Sequence, residues 1–253
     1  MIEIKGFTRK FGSFTAVENM NLTIKEGIVF GLLGPNGAGK STTVKTIVGA
    51  IKPTSGQILI NGIDVVQSPV KAKKMIGYVP EDPSLFKNLT GKEYLYLLGN
   101  LYHMPSKVLD EKITTILTQF GLIERCDEQI LSYSKGMVQK LVIASAIIHN
   151  PEVLILDEPL SGLDAKAAAI LKEIIRSFAR RGKTVLFSSH ILDVVEKLCD
   201  ETAILFQGSL LAMGTATDII KTTGCESLEK AFIKLTGETD VAKEAADIIA
   251  ALE

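Results

Sequence analysis

The sequence is short of cysteine, of net charge and of long apolar runs, and each shortage narrows the class of protein. Lys and Arg number 28 and Asp and Glu number 29, so the formal net charge is -1. Such a chain has no overall electrostatic field for nucleic acid, and we expect no nucleic-acid partner. No stretch approaches the roughly 18 consecutive apolar residues of a membrane-spanning helix, and residues 1–5 do not begin a signal peptide. We therefore expect a cytosolic chain that does not span a membrane by itself.

The cysteines and two of the histidines show no sign of chemistry. Cys126, Cys199 and Cys225 lie far apart, form no C-x-x-C pair and have no histidine at ligand spacing. We expect all three thiols to be reduced and structural. His103 and His149 do not follow a strand beside a phosphate-binding motif, so we expect structural roles for them as well.

What the sequence does contain is a phosphate loop. Residues 34–41 match the pattern G-x-x-x-x-G-K-[ST] at every fixed position, between an apolar run at 28–33 and a helical pattern that begins at Ser41. Backbone N–H groups and the helix N-terminus of such a loop stabilise a polyphosphate. We expect Lys40 to reach the β- and γ-phosphates and the Ser41 hydroxyl to ligate Mg²⁺. The alternative is a glycine-rich turn that binds nothing. The predicted nucleotide-binding residues here are Gly34, Pro35, Asn36, Gly37, Ala38, Gly39, Lys40, Ser41 and Thr42.

The remaining apolar runs predict an α/β fold. The first two alternate apolar and polar residues, which is typical of half-buried antiparallel strands. From about residue 90 to 149 the periodicity is helical, which indicates a helical lobe. With 253 residues, the chain can hold one large α/β domain, or a core domain and a smaller lobe. The predicted strands are 2–7, 16–25, 28–33, 57–62, 76–81, 153–159 and 184–188, with a hairpin over 202–206 and 209–212, and two helices split by Gly237 follow.

Two carboxylates and a histidine follow predicted strands. Asp157 and Glu158 end the strand that begins at Val153, and His190 follows the strand 184–188. Because α/β sheets bind ligands at the carboxyl ends of their strands, we expect Asp157 to meet Mg²⁺ and Glu158 to face the γ-phosphate. His190 can donate a hydrogen bond to the same phosphate. Taken alone, the two acids are equally consistent with an ordinary turn.

Two further positions can serve a nucleotide. An aromatic ring at Phe11, ahead of the phosphate loop, can stack on a base, although packing is the alternative. Ser134 and Gly136 precede a strongly helical run and form a second helix N-terminus that attracts anions, although Ser134 can equally be an ordinary N-cap.

In this order, the motifs resemble one complete ATPase subunit of the ATP-binding-cassette family over nearly all of residues 1–235. Residues 34–41 match its Walker A loop, and residues 161–164, which include Asp164, match its D-loop. By the same resemblance, Asp157 is the Walker B aspartate, Glu158 the catalytic glutamate and His190 the switch histidine. Phe11 takes the place of the base-stacking tyrosine.

The sequence departs from the family pattern at two motifs. The signature, usually Leu-Ser-Gly-Gly-Gln, is here residues 133–137, which keep Ser134 and Gly136 as the residues that meet the nucleotide. The Q-loop glutamine is replaced by Glu81, a further expected Mg²⁺ ligand. Both departures, with the tail at 227–237, resemble the branch of drug, sodium and lipid exporters whose ATPase and membrane subunits are separate chains.

The resemblance implies a phosphate-loop (RecA-like), mostly parallel sheet core with an N-terminal antiparallel β region and an inserted helical lobe at about 88–149. It divides the chain into an ATPase domain at 1–220 and a helical tail at 221–253. It further implies Mg²⁺-dependent ATP hydrolysis in a head-to-tail dimer with a second copy or a paralogous subunit. A membrane permease would hold this dimer at the cytoplasmic face of the membrane.

Two other functions remain open at this point. A soluble ATPase of the same family that acts on ribosomes or DNA is the first alternative, although such relatives usually carry two cassettes or long coiled coils. A scaffold that binds nucleotide without hydrolysis is the second, and the presence of Lys40, Asp157, Glu158 and His190 disfavours it. The transported substrate cannot be read from this chain, because the family's substrate pathway belongs to the membrane partner.

Overall fold

A computed structural model of the chain describes residues 1–237 and 250–252, which form two β-sheets and a set of helices. The strands are β1 (Ile2–Phe11), β2 (Phe14–Ile24), β3 (Val29–Leu33), β4 (Ser55–Ile60), β5 (Ile63–Asp64), β6 (Ile76–Val79), β7 (Val153–Asp157), β8 (Thr184–Ser188), β9 (Glu201–Phe206) and β10 (Ser209–Gly214). The helices are α1 (Lys40–Ile47), α2 (Pro69–Lys74), α3 (Gly91–Leu101), α4 (Ser106–Gln119), α5 (Lys135–Ile147), α6 (Ala165–Arg180), α7 (Leu192–Leu198), α8 (Ala216–Thr223) and α9 (Leu228–Thr236).

The larger sheet is mostly parallel. Its order is β10-β9-β3-β8-β7-β6, and only the hairpin of β9 and β10 is antiparallel. The smaller sheet has the order β2-β1-β4-β5 and is antiparallel throughout. The predicted α/β class, with a parallel core and an N-terminal antiparallel region, is therefore confirmed.

The parallel sheet separates two apolar cores. Strands β3, β7 and β8 are buried at every position, because both faces of the sheet are covered, and this is why they read as unbroken apolar runs. On one face, Leu154 and Phe187 share a core with residues of α3 to α6. On the other face, Ile155 and Leu186 share a core with α1 and the antiparallel sheet.

Helices α3, α4 and α5 form the predicted lobe between β6 and β7. Thr90 and Glu93 complete the predicted capping box of α3, since each side chain accepts a hydrogen bond from the backbone N–H of the other residue. Ser134 is the N-cap of α5 and accepts from Met137 N at 3.3 Å.

The C-terminal part packs against the core. Leu228 and Ala231 of α9 are fully buried. Helix α8 runs through residue 220, which is the expected boundary between the ATPase domain and the helical tail. Helix α9 ends before Gly237, and the second helix expected after it lies outside the described residues, except that 250–252 are helical. Within the described part of the chain, no helix is both long enough and apolar enough to cross a membrane.

Candidate active site

The phosphate loop connects the buried strand β3 to α1. Its last glycine, Gly39, has a φ of 104°, and a Cβ at this position would lie 2.7 Å from the carbonyl oxygen of Ala16. A side chain is therefore excluded both by the backbone conformation and by the close approach of β2. The loop borders a cavity of about 200 Å³. This cavity is lined by Phe14, Ala16, Pro35, Asn36, Gly37, Ala38, Gly39, Lys40, Ser41, Thr42, Glu81, Asp157 and Glu158.

Lys40 is held inside the loop by backbone carbonyls. Its Nζ donates to the oxygen of Gly34 at 2.6 Å and to that of Pro35 at 3.1 Å, and the residue is 7% exposed. Burial lowers the pKa of the ammonium, and the carboxylates of Glu158 and Asp157 act against this shift. The loop thus holds a buried cation at the position from which a phosphate anion can be bound.

Asp157 is the last residue of β7 and is 1% exposed. Neither of its carboxylate oxygens has a hydrogen-bond partner among the described residues, and the same is true of the neighbouring Ser188 Oγ. Burial raises the pKa of this carboxyl, the nearby Ser188 hydroxyl opposes this shift, and the acids Glu81 and Glu158 add to it. A buried carboxylate without donors is costly unless a cation compensates it. The donor set of Asp157, Ser41 and Glu81 around one cavity fits a hard cation such as Mg²⁺.

Glu158 follows β7 in the left-handed conformation, with a φ of 49°. Its Oε1 lies 2.8 Å from Nδ1 of His190, and its Oε2 accepts from Ser189 Oγ at 3.3 Å. A positive φ is uncommon outside glycine, and such conformations concentrate at functional sites. His190 itself does not line the cavity, so it meets the site through Glu158.

The aromatic residue at the cavity wall is Phe14, which is not among the residues predicted from sequence. Phe11, the predicted base-stacking residue, is 46% exposed and does not line the cavity, whereas Phe14 is 63% exposed and does. The two residues are paired across the turn between β1 and β2. Their three-residue spacing around Gly12 and Ser13 is the signal that could have indicated a hairpin with an aromatic pair at its tip. Phe11 therefore lies beside the cavity wall, and its stacking role stays a prediction.

Ser134, Gly136 and Asp164 do not line this cavity. A Cβ on Gly136 would lie 2.8 Å from the oxygen of Gly162, so the start of α5 packs directly on the loop before α6. Asp164 is the N-cap of α6 and forms an ion pair with Lys140 at 2.6 Å. The single chain thus separates the predicted signature tip from the predicted phosphate site.

Glu81 is the residue that links the cavity to the helical lobe. It lines the phosphate-loop cavity and also a groove of about 560 Å³. That groove runs along lobe residues that include Tyr133, Lys135 and Gln139.

The remaining predicted structural residues lie elsewhere. The thiols of Cys126, Cys199 and Cys225 are free. The ring of His149 is stacked on Tyr102 at 3.7 Å, and His103 has a φ of 55°.

The glycine-rich loop joins the buried parallel strand β3 to α1, and two carboxylates at the end of β7 face it. This arrangement defines a phosphate-loop nucleoside triphosphatase. The family model of the ABC transporter matches residues 17–161, and the chain belongs to this family.

Similar proteins agree with this assignment. YbhF of Escherichia coli, described as a probable multidrug ABC transporter ATP-binding protein, is 37% identical over 245 residues, which cover 95% of this chain but 42% of YbhF. A solved ATP-binding subunit of an ABC transporter is 34% identical with a TM-score of 0.89, over 93% of this chain and 99% of that one. The cassette MJ0796, solved as a dimer after hydrolysis with ADP and Pi, is 27% identical with a TM-score of 0.77, over 85% and 98% of the two chains.

The predicted family and its ATPase class are confirmed by these matches. None of them supports the alternative of a soluble ATPase that acts on ribosomes or DNA. The roles of individual residues, the metal and the membrane partner stay predictions.

Proposed function

We propose that the chain is the nucleotide-binding subunit of an exporter, in which two copies hydrolyse Mg²⁺-ATP and drive a separate permease. The observation that carries this proposal is the arrangement of the site in a single chain. The phosphate loop, Asp157 and Glu158 share one cavity, whereas Ser134 and Gly136 lie outside it. Each chain therefore holds two unlike half-sites.

The chemistry at the phosphate loop follows from the side chains that line it. The Lys40 ammonium leaves the carbonyls of Gly34 and Pro35 and binds the β- and γ-phosphates of ATP. Glu158 orients the attacking water and accepts its proton. His190 contacts the Glu158 carboxylate through Nδ1 and donates to the γ-phosphate when the site closes.

The metal site of the proposal consists of Ser41, Asp157 and Glu81. The two carboxylate oxygens of Asp157, which have no hydrogen-bond partner in the described part of the chain, support it, because a buried carboxylate needs a compensating cation. Bound Mg²⁺ would neutralise part of the charge on the phosphates. Asp157 supplies the fixed oxygens, while Glu81, on an exposed loop, can approach or leave.

A head-to-tail dimer joins the two half-sites. Ser134 is exposed at the N-terminus of α5, where unpaired backbone N–H groups and the helix dipole favour an anion. In the dimer this terminus covers the triphosphate that is bound to the phosphate loop of the other copy. ATP then stabilises the contact, and hydrolysis weakens it.

The permease contact of the proposal rests on the second groove. Glu81 belongs to both cavities, so a change at the nucleotide is transmitted to the helical lobe, where a membrane partner can bind. The Nod factor export ATP-binding protein I of Rhizobium meliloti, which is 35% identical over 90% of this chain, supports export as the direction. The chain is then peripheral at the cytoplasmic face of the membrane.

Mixing two inactive variants tests the dimer directly. Lys40→Ala breaks the phosphate loop, and Ser134→Arg blocks the start of α5. Each variant alone should be inactive in an ATPase assay, but a mixed dimer contains one site with both halves intact. Random exchange of subunits should therefore restore about a quarter of wild-type activity, because half of the dimers are mixed and each has one good site. A mixture as inactive as its components excludes the head-to-tail arrangement.

A further inference from the structure

The guanidinium of Arg9 covers the ring of Phe11. Its Cζ lies 4.4 Å from the ring centroid, within the range of a cation–π contact. The same guanidinium donates from Nη1 to the carbonyl oxygen of Lys52 at 2.9 Å. Arg9 thus connects the predicted base-stacking ring to the segment that follows α1.

We propose that Arg9 is a positioning residue for nucleotide recognition, which holds the Phe11 ring ready to stack on the base of ATP. This inference rests on the proposed ATP site, and it assigns a role to a residue outside the cavity.

Phe11 needs such support because of where it lies. It is the last residue of β1, is 46% exposed and precedes the turn to Phe14, which is 63% exposed and lines the phosphate-loop cavity. An exposed ring at a hairpin tip loses rotamer freedom when a ligand binds it, and this loss weakens binding. A guanidinium over the ring restricts it in advance, and the exposed part of the ring is then where a base would stack.

Arg9 is itself fixed on the frame that carries the phosphate loop. The segment after α1 is hydrogen-bonded to β1 at this point, since Thr54 N donates to Thr8 O at 2.8 Å and Thr54 Oγ1 accepts from Lys10 N at 2.9 Å. The bond from Arg9 to Lys52 O adds a third link. The position of the Phe11 ring is therefore coupled to the position of α1, the helix that follows the phosphate loop.

The hydrogen bonding of Arg9 is incomplete. Its Nε is buried and has no partner in the part of the chain that the structure describes. A buried unpaired donor is unfavourable, so this placement of the guanidinium does not maximise its hydrogen bonds. The ring contact and the Lys52 carbonyl determine its orientation instead.

Calorimetric titration of the full chain with ATP and with inorganic tripolyphosphate separates the base from the phosphates. We expect Arg9→Leu to weaken ATP binding about two- to fivefold, the effect of one exposed cation–π contact, and to leave tripolyphosphate binding unchanged. Arg9→Lys, which keeps the cation but not the planar group, should lose less. Arg176→Leu, on the surface of α6, is the matched control and should change neither affinity.

The variant Phe11→Leu tests whether Arg9 acts through the Phe11 ring. This variant should lose about fivefold or more in ATP affinity through loss of base stacking, and Arg9→Leu should have no further effect in its background. Three outcomes would overturn the inference: equal losses of ATP and tripolyphosphate affinity in Arg9→Leu, tighter ATP binding in that variant, or an undiminished Arg9 effect when Phe11 is absent. If Phe11→Leu binds ATP like wild type, the stacking role and the inference fail together while the phosphate site stands. Absence of ATP binding by the wild-type chain would instead remove the proposed function.

Discussion

Nδ1 of His190 lies 2.8 Å from Oε1 of Glu158, and Ser189 Oγ lies 3.3 Å from the other oxygen of the same carboxylate. Two consecutive residues after β8 therefore hold the carboxylate that follows β7. The side chain of Glu158 is 14% exposed, whereas that of His190 is 67% exposed. The histidine thus forms the solvent side of the pair, and of the two residues Glu158 is the one that lines the phosphate-loop cavity.

Replacing Glu158 by glutamine should separate binding from hydrolysis. Glu158→Gln keeps the shape of the side chain but cannot accept the proton of the attacking water, so we expect ATP binding to persist and turnover to fall about 10²-fold or more. Because ATP is then not consumed, the variant should accumulate as a dimer during size-exclusion chromatography with ATP. Steady-state phosphate release within a few-fold of wild type would reject the role of Glu158.

Removing the ammonium of Lys40 should weaken nucleotide binding itself. In the structure its Nζ is bonded to two loop carbonyls, and in the proposed complex it is the main side-chain charge at the β- and γ-phosphates. We expect Lys40→Ala to raise the dissociation constant of ATP at least about tenfold, since a charged hydrogen bond is lost. Lys45→Ala, on the same helix but outside the cavity, is the control. An unchanged dissociation constant by calorimetry would contradict the assignment of the phosphate loop.

Glu81 should determine how hydrolysis depends on Mg²⁺ and on the permease. A glutamine keeps one oxygen ligand, so Glu81→Gln should retain much of the ATPase rate, whereas Glu81→Ala removes the ligand and should need several-fold more Mg²⁺. The alanine variant should also lose stimulation by the permease, because Glu81 borders the groove along the helical lobe. The measurement is the Mg²⁺ dependence of ATPase rate with and without the membrane subunit. If the alanine variant matches wild type in both, Glu81 is not the coupling residue.

The stability of the chain should fall in mild acid through His149. Its Nε2 lies 3.2 Å from Ile76 O, and burial lowers the pKa of the imidazole to about 4. Between this pKa and the usual value of about 6.5, the unfolded chain binds more protons than the folded chain, so stability is lost as the pH falls through this window. His149→Phe retains a ring that can stack on Tyr102 and removes the titration. Its melting temperature should drop less between about pH 7 and pH 5 than that of wild type. Equal drops would show that His149 is not responsible.

The central site could be predicted from sequence because its parts obey strict local rules. The loop at residues 34–41 needs glycine where its backbone has a positive φ or approaches β2. The spacing of these glycines is therefore diagnostic of a phosphate loop. Strands β3, β7 and β8 are buried on both faces and appear as apolar runs, which places Asp157 at a strand end without any alignment.

The hairpin tip could not be predicted in the same way. Strand β1 runs to Phe11 and β2 begins at Phe14, whereas the sequence pattern ends the first at residue 7 and begins the second at 16. Residues 8–11 are polar or exposed, and they are strand because β1 pairs with both β2 and β4 rather than because of burial. Hydrophobic periodicity indicates which residues are buried but not which strands pair, so it does not predict the pairing of Phe14 with Phe11. The left-handed backbone at Glu158 is similarly a single-residue feature that no period reveals.

One buried hydrogen bond connects sites that belong to different halves of the proposed dimer. Gln139 Nε2, in α5, donates to the carbonyl oxygen of Pro159 at 2.9 Å, one residue after Glu158. Helix α5 begins at the terminus that would cover the ATP of the other copy, while Pro159 belongs to the loop that serves the chain's own ATP. Movement of the Pro159 loop when phosphate leaves one site would therefore be passed to α5, so we expect the nucleotide affinities of the two sites of the proposed dimer to be coupled.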